Sequence, residues 1–374
     1  MDTVFYISVS FIAYTYLVYP AAIVLWGVLM PKRVQKRYRT EPLSVVLVVK
    51  NEEINVKTRI ENLLSQDYPP DQIEVVVVSD GSTDRTVELV GEYGDDRVKL
   101  IDLPPVGKAE ALNAGLAAAS HDVVVFADAR QCFGENVFAE LVAMFVDEQV
   151  GAVSGELVIE SGVGSEVHEG VGMCWQYENL IRRMESEVES TVGATGSIYA
   201  IRRNLYVPLE NHTLLDDFLV PMRIVLQGYR VIFVRSARAY DIASATASQE
   251  FARKVRTLAG NFQAVAMEPR LMNPFRNKVF IQFVSHKLAR LAVPYFCIAA
   301  LTASLLSSTP ALRGLFVLQV AIYLTGILNL TALSKTKFGS VTRIAWTFIV
   351  LNAAAVVGLW VFATGRDRSI WSKT

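Results

Sequence analysis

Ile73-Glu74-Val75-Val76-Val77-Val78-Ser79-Asp80-Gly81-Ser82-Thr83-Asp84 sets an almost unbroken β-branched run directly before a tight turn that carries two carboxylates. A run this apolar fits a strand covered on both faces, because a strand with one wet face would alternate. The segment after the turn, Thr86-Val87-Glu88-Leu89-Val90, reads as a helix. The turn therefore lies at the carboxyl end of a strand, where open α/β sheets bind their ligands. Ser82, Thr83 and Asp84 equally suit a helix start, where a side-chain oxygen accepts an orphan backbone N–H. The turn alone leaves both readings open.

Outward from it, apolar runs recur at Leu43 to Val49, Val98 to Ile101 and Val123 to Phe126, with amphipathic stretches at Glu53 to Leu64 and Lys108 to Ala119. This βαβα rhythm predicts an α/β fold with a mostly parallel sheet. No internal repeat or low-complexity linker breaks residues 40–245, which read as one soluble domain.

The rest of the chain is too apolar for a purely soluble protein. Of 374 residues, 52% are hydrophobic, and the formal net charge of −1 makes no case for a nucleic-acid partner. Cys132, Cys174 and Cys297 are far apart and lack metal-type spacing, so reduced thiols are expected. Val4 to Met30 holds no charged residue, long enough to cross a bilayer and too long for a signal peptide. Lys32, Arg33, Lys36, Arg37 and Arg39 follow, which by the positive-inside rule places the next domain in the cytosol. Uncharged stretches at Leu291 to Leu312, Gly314 to Ser334 and Ile344 to Gly365 give three more spans. The expected layout is a span over 1–31, the cytosolic domain over 40–245, interfacial helices over 246–290, three spans over 291–366 and a tail over 367–374. Four crossings put the Lys335, Lys337 and Arg343 loop inside. They put the tail, with Arg366, Arg368 and Lys373, outside against the charge rule, so an interfacial or re-entrant segment is the alternative.

Asn51-Glu52 closes the first strand, and Gly107-Lys108-Ala109-Glu110-Ala111-Leu112-Asn113 follows the third. With Asp80-Gly81-Ser82-Thr83-Asp84 between them, and Ser79 where a first Asp is usual, the order resembles a membrane-anchored family 2 glycosyltransferase of the GT-A fold. Poly-N-acetylglucosamine and cellulose synthases are relatives in that group. The resemblance runs from about Ser44 into the membrane helices and implies a nucleotide-sugar site at the strand ends, with Asn51, Glu52, Asp80, Asp84 and Lys108 on the donor side. The chemistry agrees: a nucleotide sugar needs acceptors for its base and ribose and cations for its diphosphate. Lys108 opens a helix, so its ammonium and the positive helix end can face one anion. A solvated surface lysine, and for Asn113 a mere polar face, are the plainer alternatives.

The family's Asp-x-Asp after the fourth strand is here Ala127-Asp128-Ala129-Arg130. The resemblance carries Asp128 over as ligand of Mg²⁺ or Mn²⁺, whereas Arg130 cannot ligate metal and suits phosphate instead. Gly193-Ala194-Thr195-Gly196-Ser197 resembles the acceptor-site motif, giving Thr195 and Gly196, or else a turn ahead of the strand Ile198 to Ile201. Asp216-Asp217 matches the acidic pair whose second member is the family's general base, so Asp217 is the candidate with Asp216 beside it. Two acids at a helix start have a plainer role as well.

Phe251, Val255, Leu258, Phe262 and Val265 share a helical face, the pattern of a helix lying on a membrane surface. Arg253-Lys254-Val255-Arg256-Thr257 resembles the Gln-x-x-Arg-Trp motif, with Arg256 for the diphosphate and Thr257 in place of the stacking Trp, which argues against processive chain growth. His286-Lys287 suit lipid head groups. The expected activity is inverting transfer of a hexosyl-type unit from a nucleotide sugar, a UDP-sugar in the first instance, to a lipid-linked or cell-envelope glycan acceptor. The expected setting is the inner membrane of a bacterial-type cell, with membrane lipids and export or assembly proteins as partners. A processive synthase, and a non-catalytic nucleotide-binding partner of an export complex, are the competing readings. A nucleotidyltransferase would need a Gly-rich basic phosphate loop that Val48-Val49-Lys50-Asn51-Glu52 lacks.

Overall fold

The valine runs at 73–80 and 123–127 form strands buried at every residue, and they order the rest of the domain. A computed structural model describes residues 1–160, 168–242, 247–327 and 339–366. Its strands are β1 (Leu43–Val49), β2 (Ile73–Asp80), β3 (Val98–Leu103), β4 (Val123–Ala127), β5 (Cys132–Phe133), β6 (Val150–Glu160), β7 (Ile198–Arg202) and β8 (Arg230–Ile242). One sheet holds them in the order β3-β2-β1-β4-β7-β6-β8-β5. Strands β3, β2, β1 and β4 are parallel, so their carboxyl ends share one edge. Alternate residues of β2 serve two cores, Val75 and Val77 packing with Ile60 and Leu63 on one face, Val76 and Val78 with Ala111 on the other. This is why β2 does not alternate in hydropathy.

Beyond β4 the sheet becomes mixed. β7 runs antiparallel between β4 and β6, β6 and β8 are parallel across a register shift, and β5 pairs antiparallel with β8. The antiparallel β7 inserts its turn, residues 193–197, beside the carboxyl edge of the parallel half. Gly81 keeps that edge tight: at φ +65 it lies where L side chains rarely go, and a Cβ would stand 2.6 Å from the Pro105 nitrogen.

Among the described residues, four helices are long and apolar enough to cross a membrane: Asp2–Leu29, Phe280–Leu306, Pro310–Ile327 and Thr342–Ala363. The second begins at Phe280, not near Leu291 as hydropathy alone places it. Its first turns carry His286, Lys287 and Arg290, which contact acids of the His168–Val188 helix and so stay inside the helix despite their polarity. Lys335, Lys337, Arg368 and Lys373 lie outside the described residues. The amphipathic segment forms a helix over Ala247–Met267, but part of its apolar face is covered by protein. Val255 and Ala259 pack on Ala354 and Val361 of the Gly339–Ala363 helix, and Phe262 stacks on Phe362 with ring centroids 6.1 Å apart.

Candidate active site

Three chain segments converge at the carboxyl edge of the parallel strands. Asp128 follows β4, Lys108 starts the Lys108–Ala118 helix, and Asp216 and Asp217 form the first turn of the Asp216–Leu226 helix, where its dipole favours negative charge. The Lys108 Nζ stands 3.5 Å from Asp128 Oδ1 and 3.2 Å from Asp216 Oδ1. A cavity of about 180 Å³ opens on this cluster, lined among others by Lys108, Asp128, Arg182, Asp217, Arg256 and Lys287.

The two neighbouring acids have different surroundings. Asp216 is held by Lys108. The Asp217 carboxylate has no hydrogen-bond or ion-pair partner among the described residues, and burial, with the Asp216 charge second, pushes it from the ordinary 3.8 up to about 6. Lys108 loses hydration on burial, yet Asp128, Asp216 and Asp217 more than offset this, and its ammonium is held above the ordinary lysine range. The arrangement keeps one cation charged and leaves one carboxylate poised to take a proton near neutrality.

Gly193 and Gly196 line the cavity. The Ala194 N–H donates to the Asp217 carbonyl at 2.7 Å. At Gly196 a Cβ would come within 2.9 Å of Asp217 Oδ2. The turn is thus a backbone shelf against which the carboxylate lies, as well as the lead into β7.

Other sequence candidates do local work. Asp80 is fully buried and its Oδ1 accepts from the Val106 and Gly107 N–H groups, both at 2.8 Å, so it fixes the loop that launches Lys108. Asn51 ties the β1 and β2 turns together by accepting from the Thr83 N–H at 2.8 Å, and the Glu52 N–H donates to Thr86 Oγ1 at 2.8 Å. Asp84 accepts from the Thr86 N–H and hydroxyl at 3.0 and 2.6 Å, the helix-start role that the sequence left open. None of these four lines the cavity. Thr195 is buried behind it, its Oγ1 accepting from Arg182 Nη1 at 3.0 Å and donating to the Gly155 carbonyl at 2.9 Å, so it positions Arg182 and does not face an acceptor. Arg130 is exposed. Asn113 clamps the 206–209 segment, bonding both the N–H and the carbonyl of Leu209.

Arg182 and Lys287 line the cavity without any sequence signal that points there. His286-Lys287 stood out only as a basic pair beside an apolar stretch, and nothing local sets Arg182 apart from Arg183. A metal fits the site in one way only. No group of three His, Cys, Asp or Glu side chains occurs among the described residues, so Asp128 offers a single carboxylate. That suffices for an ion that keeps waters and takes its remaining ligands from substrate phosphates, the usual habit of Mg²⁺.

Comparison with known proteins agrees with this geometry. Residues 44–207 match the family described as "Glycosyl transferase family 2". The probable glycosyltransferase YdaM of Bacillus subtilis is 25% identical over 245 residues, 62% of this chain and 58% of that protein. The poly-beta-1,6-N-acetyl-D-glucosamine synthase of Staphylococcus aureus is 24% identical over 237 residues, 60% of this chain and 56% of that one. The chain thus matches little more than half the length of either relative. Among solved structures, the mannosyltransferase PcManGT from Pyrobaculum calidifontis, in complex with GDP-Man and Mn²⁺, superposes with a TM-score of 0.73 at 23% identity, covering 96% of this chain and 99% of its own. That likeness extends the shared fold past the sheet into the apolar helices. With a family 2 glycosyl transferase model matched over residues 44–207, a GT-A fold and a carboxylate–lysine cluster at the strand ends, the chain resembles that family over its sheet domain, which is joined among the described residues to four candidate membrane helices.

Proposed function

We propose that this protein is an inverting glycosyltransferase of the membrane, moving a sugar from a nucleoside diphosphate sugar to a hydroxyl of a lipid-linked or cell-envelope glycan acceptor. The observation that carries the reading is the Asp217 carboxylate, unpartnered beside the Lys108–Asp216 pair in the cavity. Asp217 takes the acceptor hydroxyl's proton as that oxygen attacks the anomeric carbon from the face opposite the leaving group, and the configuration inverts. The diphosphate leaves against Lys108 and Arg256, whose charges lie in place before the bond breaks. Asp128 would hold Mg²⁺ or Mn²⁺, which supplies further charge neutralisation to the diphosphate when bound. Asp80 and Asn51 contribute by fixing the loops around the donor. On this reading the domain is cytosolic, as the basic residues after the first helix favour.

Thr257 lines the cavity, and a threonine offers no aromatic face for a sugar to stack on while a chain slides forward. This favours few additions per encounter. The S. aureus relative's name keeps polymer synthesis as the second reading. The test is incubation of the nanodisc-embedded protein with a panel of labelled nucleotide sugars and membrane-lipid extract, followed by product sizing. Short products growing together are expected; long polymer beside untouched acceptor would favour the synthase, and nucleotide binding without any product would favour a non-catalytic partner.

A further inference from the structure

One wall of the cavity carries positive charge that the transfer chemistry leaves unused. Arg182 stands on the His168–Val188 helix and Lys287 on the Phe280–Leu306 helix, and both line the space that Asp217 faces. Arg182 is 9% exposed. Its Nη1 donates to Thr195 Oγ1, whereas its Nε has no hydrogen-bond partner and lies 3.5 Å from Glu178 Oε1. Lys287 Nζ is 3.7 Å from that same oxygen. Glu178 gives its short contacts to others, 2.9 Å to His286 Nε2 and 2.6 Å to Arg290 Nη1. Glu185, the other nearby acid, is engaged by His286 at 2.8 Å and by the Tyr19 hydroxyl at 2.5 Å. A single carboxylate is therefore shared by three cations and a histidine, and the two cations it serves worst are those facing the cavity.

Desolvated cations held beyond hydrogen-bond distance of the carboxylate they share are costly unless an anion joins them, and Asp217 across the cavity acts on both without pairing with either. Resting on the transfer reading above, we infer that the acceptor sugar carries a phosphate or diphosphate, bound between Arg182 and Lys287 while its hydroxyl meets Asp217. Arg182, Lys287 and Asp217 line one small cavity, so a single acceptor can meet all three. Lys287 lies in the first turns of a helix long and apolar enough to cross a membrane, which favours a lipid carrier over a soluble sugar phosphate. In the reaction the acceptor C–O–H oxygen bonds the donor's anomeric carbon, the bond from that carbon to the donor diphosphate breaks, and the proton goes to Asp217; the acceptor phosphate is unchanged.

The test uses the full chain in nanodiscs and three probes bearing one sugar: farnesyl diphosphate-linked N-acetylglucosamine, N-acetylglucosamine 1-phosphate, and a farnesyl glycoside without phosphate. The expected result is saturable binding of the phosphate-bearing probes and at least about tenfold weaker binding of the glycoside. Arg182→Gln and Lys287→Gln should each weaken the phosphate probes by about tenfold or more, with UDP and GDP binding as in wild type, and Lys287→Arg should restore most of it. Tighter binding of the farnesyl diphosphate probe than of the 1-phosphate assigns the lipid source, and equal binding assigns the soluble one. The inference is overturned if a nucleotide-binding protein ignores both phosphate probes, if the glycoside binds as well as they do, or if the Gln variants lose nucleotide instead of probe. Failure of wild type to bind any nucleotide would instead sink the transferase reading.

Discussion

Asp217→Asn separates catalysis from folding in one substitution. Asparagine fills the same space next to Gly196 but cannot take a proton, so kcat should fall by about a hundredfold to ten-thousandfold, roughly 3 to 5 kcal/mol of barrier. Folding stability should move the other way. The native carboxyl titrates near 6 against an ordinary 3.8 because burial and Asp216 disfavour its charged form. Below 3.8 it is protonated in both folded and unfolded chains and contributes nothing. Through 4 to 6 the native state holds the extra proton, so stability falls as pH rises, and above 6 the full penalty of about 3 kcal/mol is present. Asn removes that penalty. Thermal unfolding of the detergent-purified protein should show the variant a few degrees more stable at pH 7.5 and nearly equal to wild type at pH 4. For wild type, kcat/KM should drop about tenfold for each pH step of one below 6. A variant that turns over normally would remove Asp217 from the chemistry. One that loses activity and stability together at pH 7.5 would mean that the carboxylate is structural.

Asp128→Ala should weaken nucleotide-sugar binding and abolish its dependence on added Mn²⁺ or Mg²⁺, read by calorimetry with and without chelator; full wild-type activity in excess chelator would mean that Lys108 and Arg256 suffice alone. Gly196→Ala should push the Asp217 carboxylate aside, lowering kcat about tenfold to a hundredfold with nucleotide affinity unchanged; unchanged kcat would show that the shelf is not needed. Asp80→Ala should leave the Val106 and Gly107 N–H groups unpaired, costing about 2 kcal/mol or more of stability and loosening nucleotide binding with it. Weakened binding with an unchanged melting curve would make Asp80 a direct ligand instead.

The parallel half of the sheet was legible because β1, β2 and β4 are buried on both faces and announce themselves as apolar runs, whereas the edge strand β3, with Lys99 and Asp102 exposed, showed only a short one. The second half was not. β6 and β8 mix buried residues with Glu156, Arg235 and Arg238, which pair with one another across the sheet, so their composition masks their pattern. The acids and Lys108 of the site were readable from motif order. What each side chain touches was not, because Asp80 satisfies backbone groups 26 and 27 positions away and Asp84 one only 2 positions away with the same chemistry that a ligand would use. Arg182 and Lys287 meet the cavity from helices more than a hundred positions apart, and no local pattern encodes that meeting.

The site is not wholly owned by the domain that names it. Arg256, Thr257 and Asn261 reach the cavity from the helix after β8, and Lys287 from a bilayer-type helix. Cut at the end of β8, the sheet would keep its acids while losing the roof over them and, with Ala264, Leu271, Val279 and Phe283, part of one core. A version cut there should be a poor catalyst. Within the full chain, Tyr19 and Glu185 pin the first apolar helix to the same ion-paired knot that seats Lys287. Bilayer thickness, by setting how those helices tilt, then becomes a variable of the reaction itself. Lipid chain length should tune turnover as a substrate analogue would.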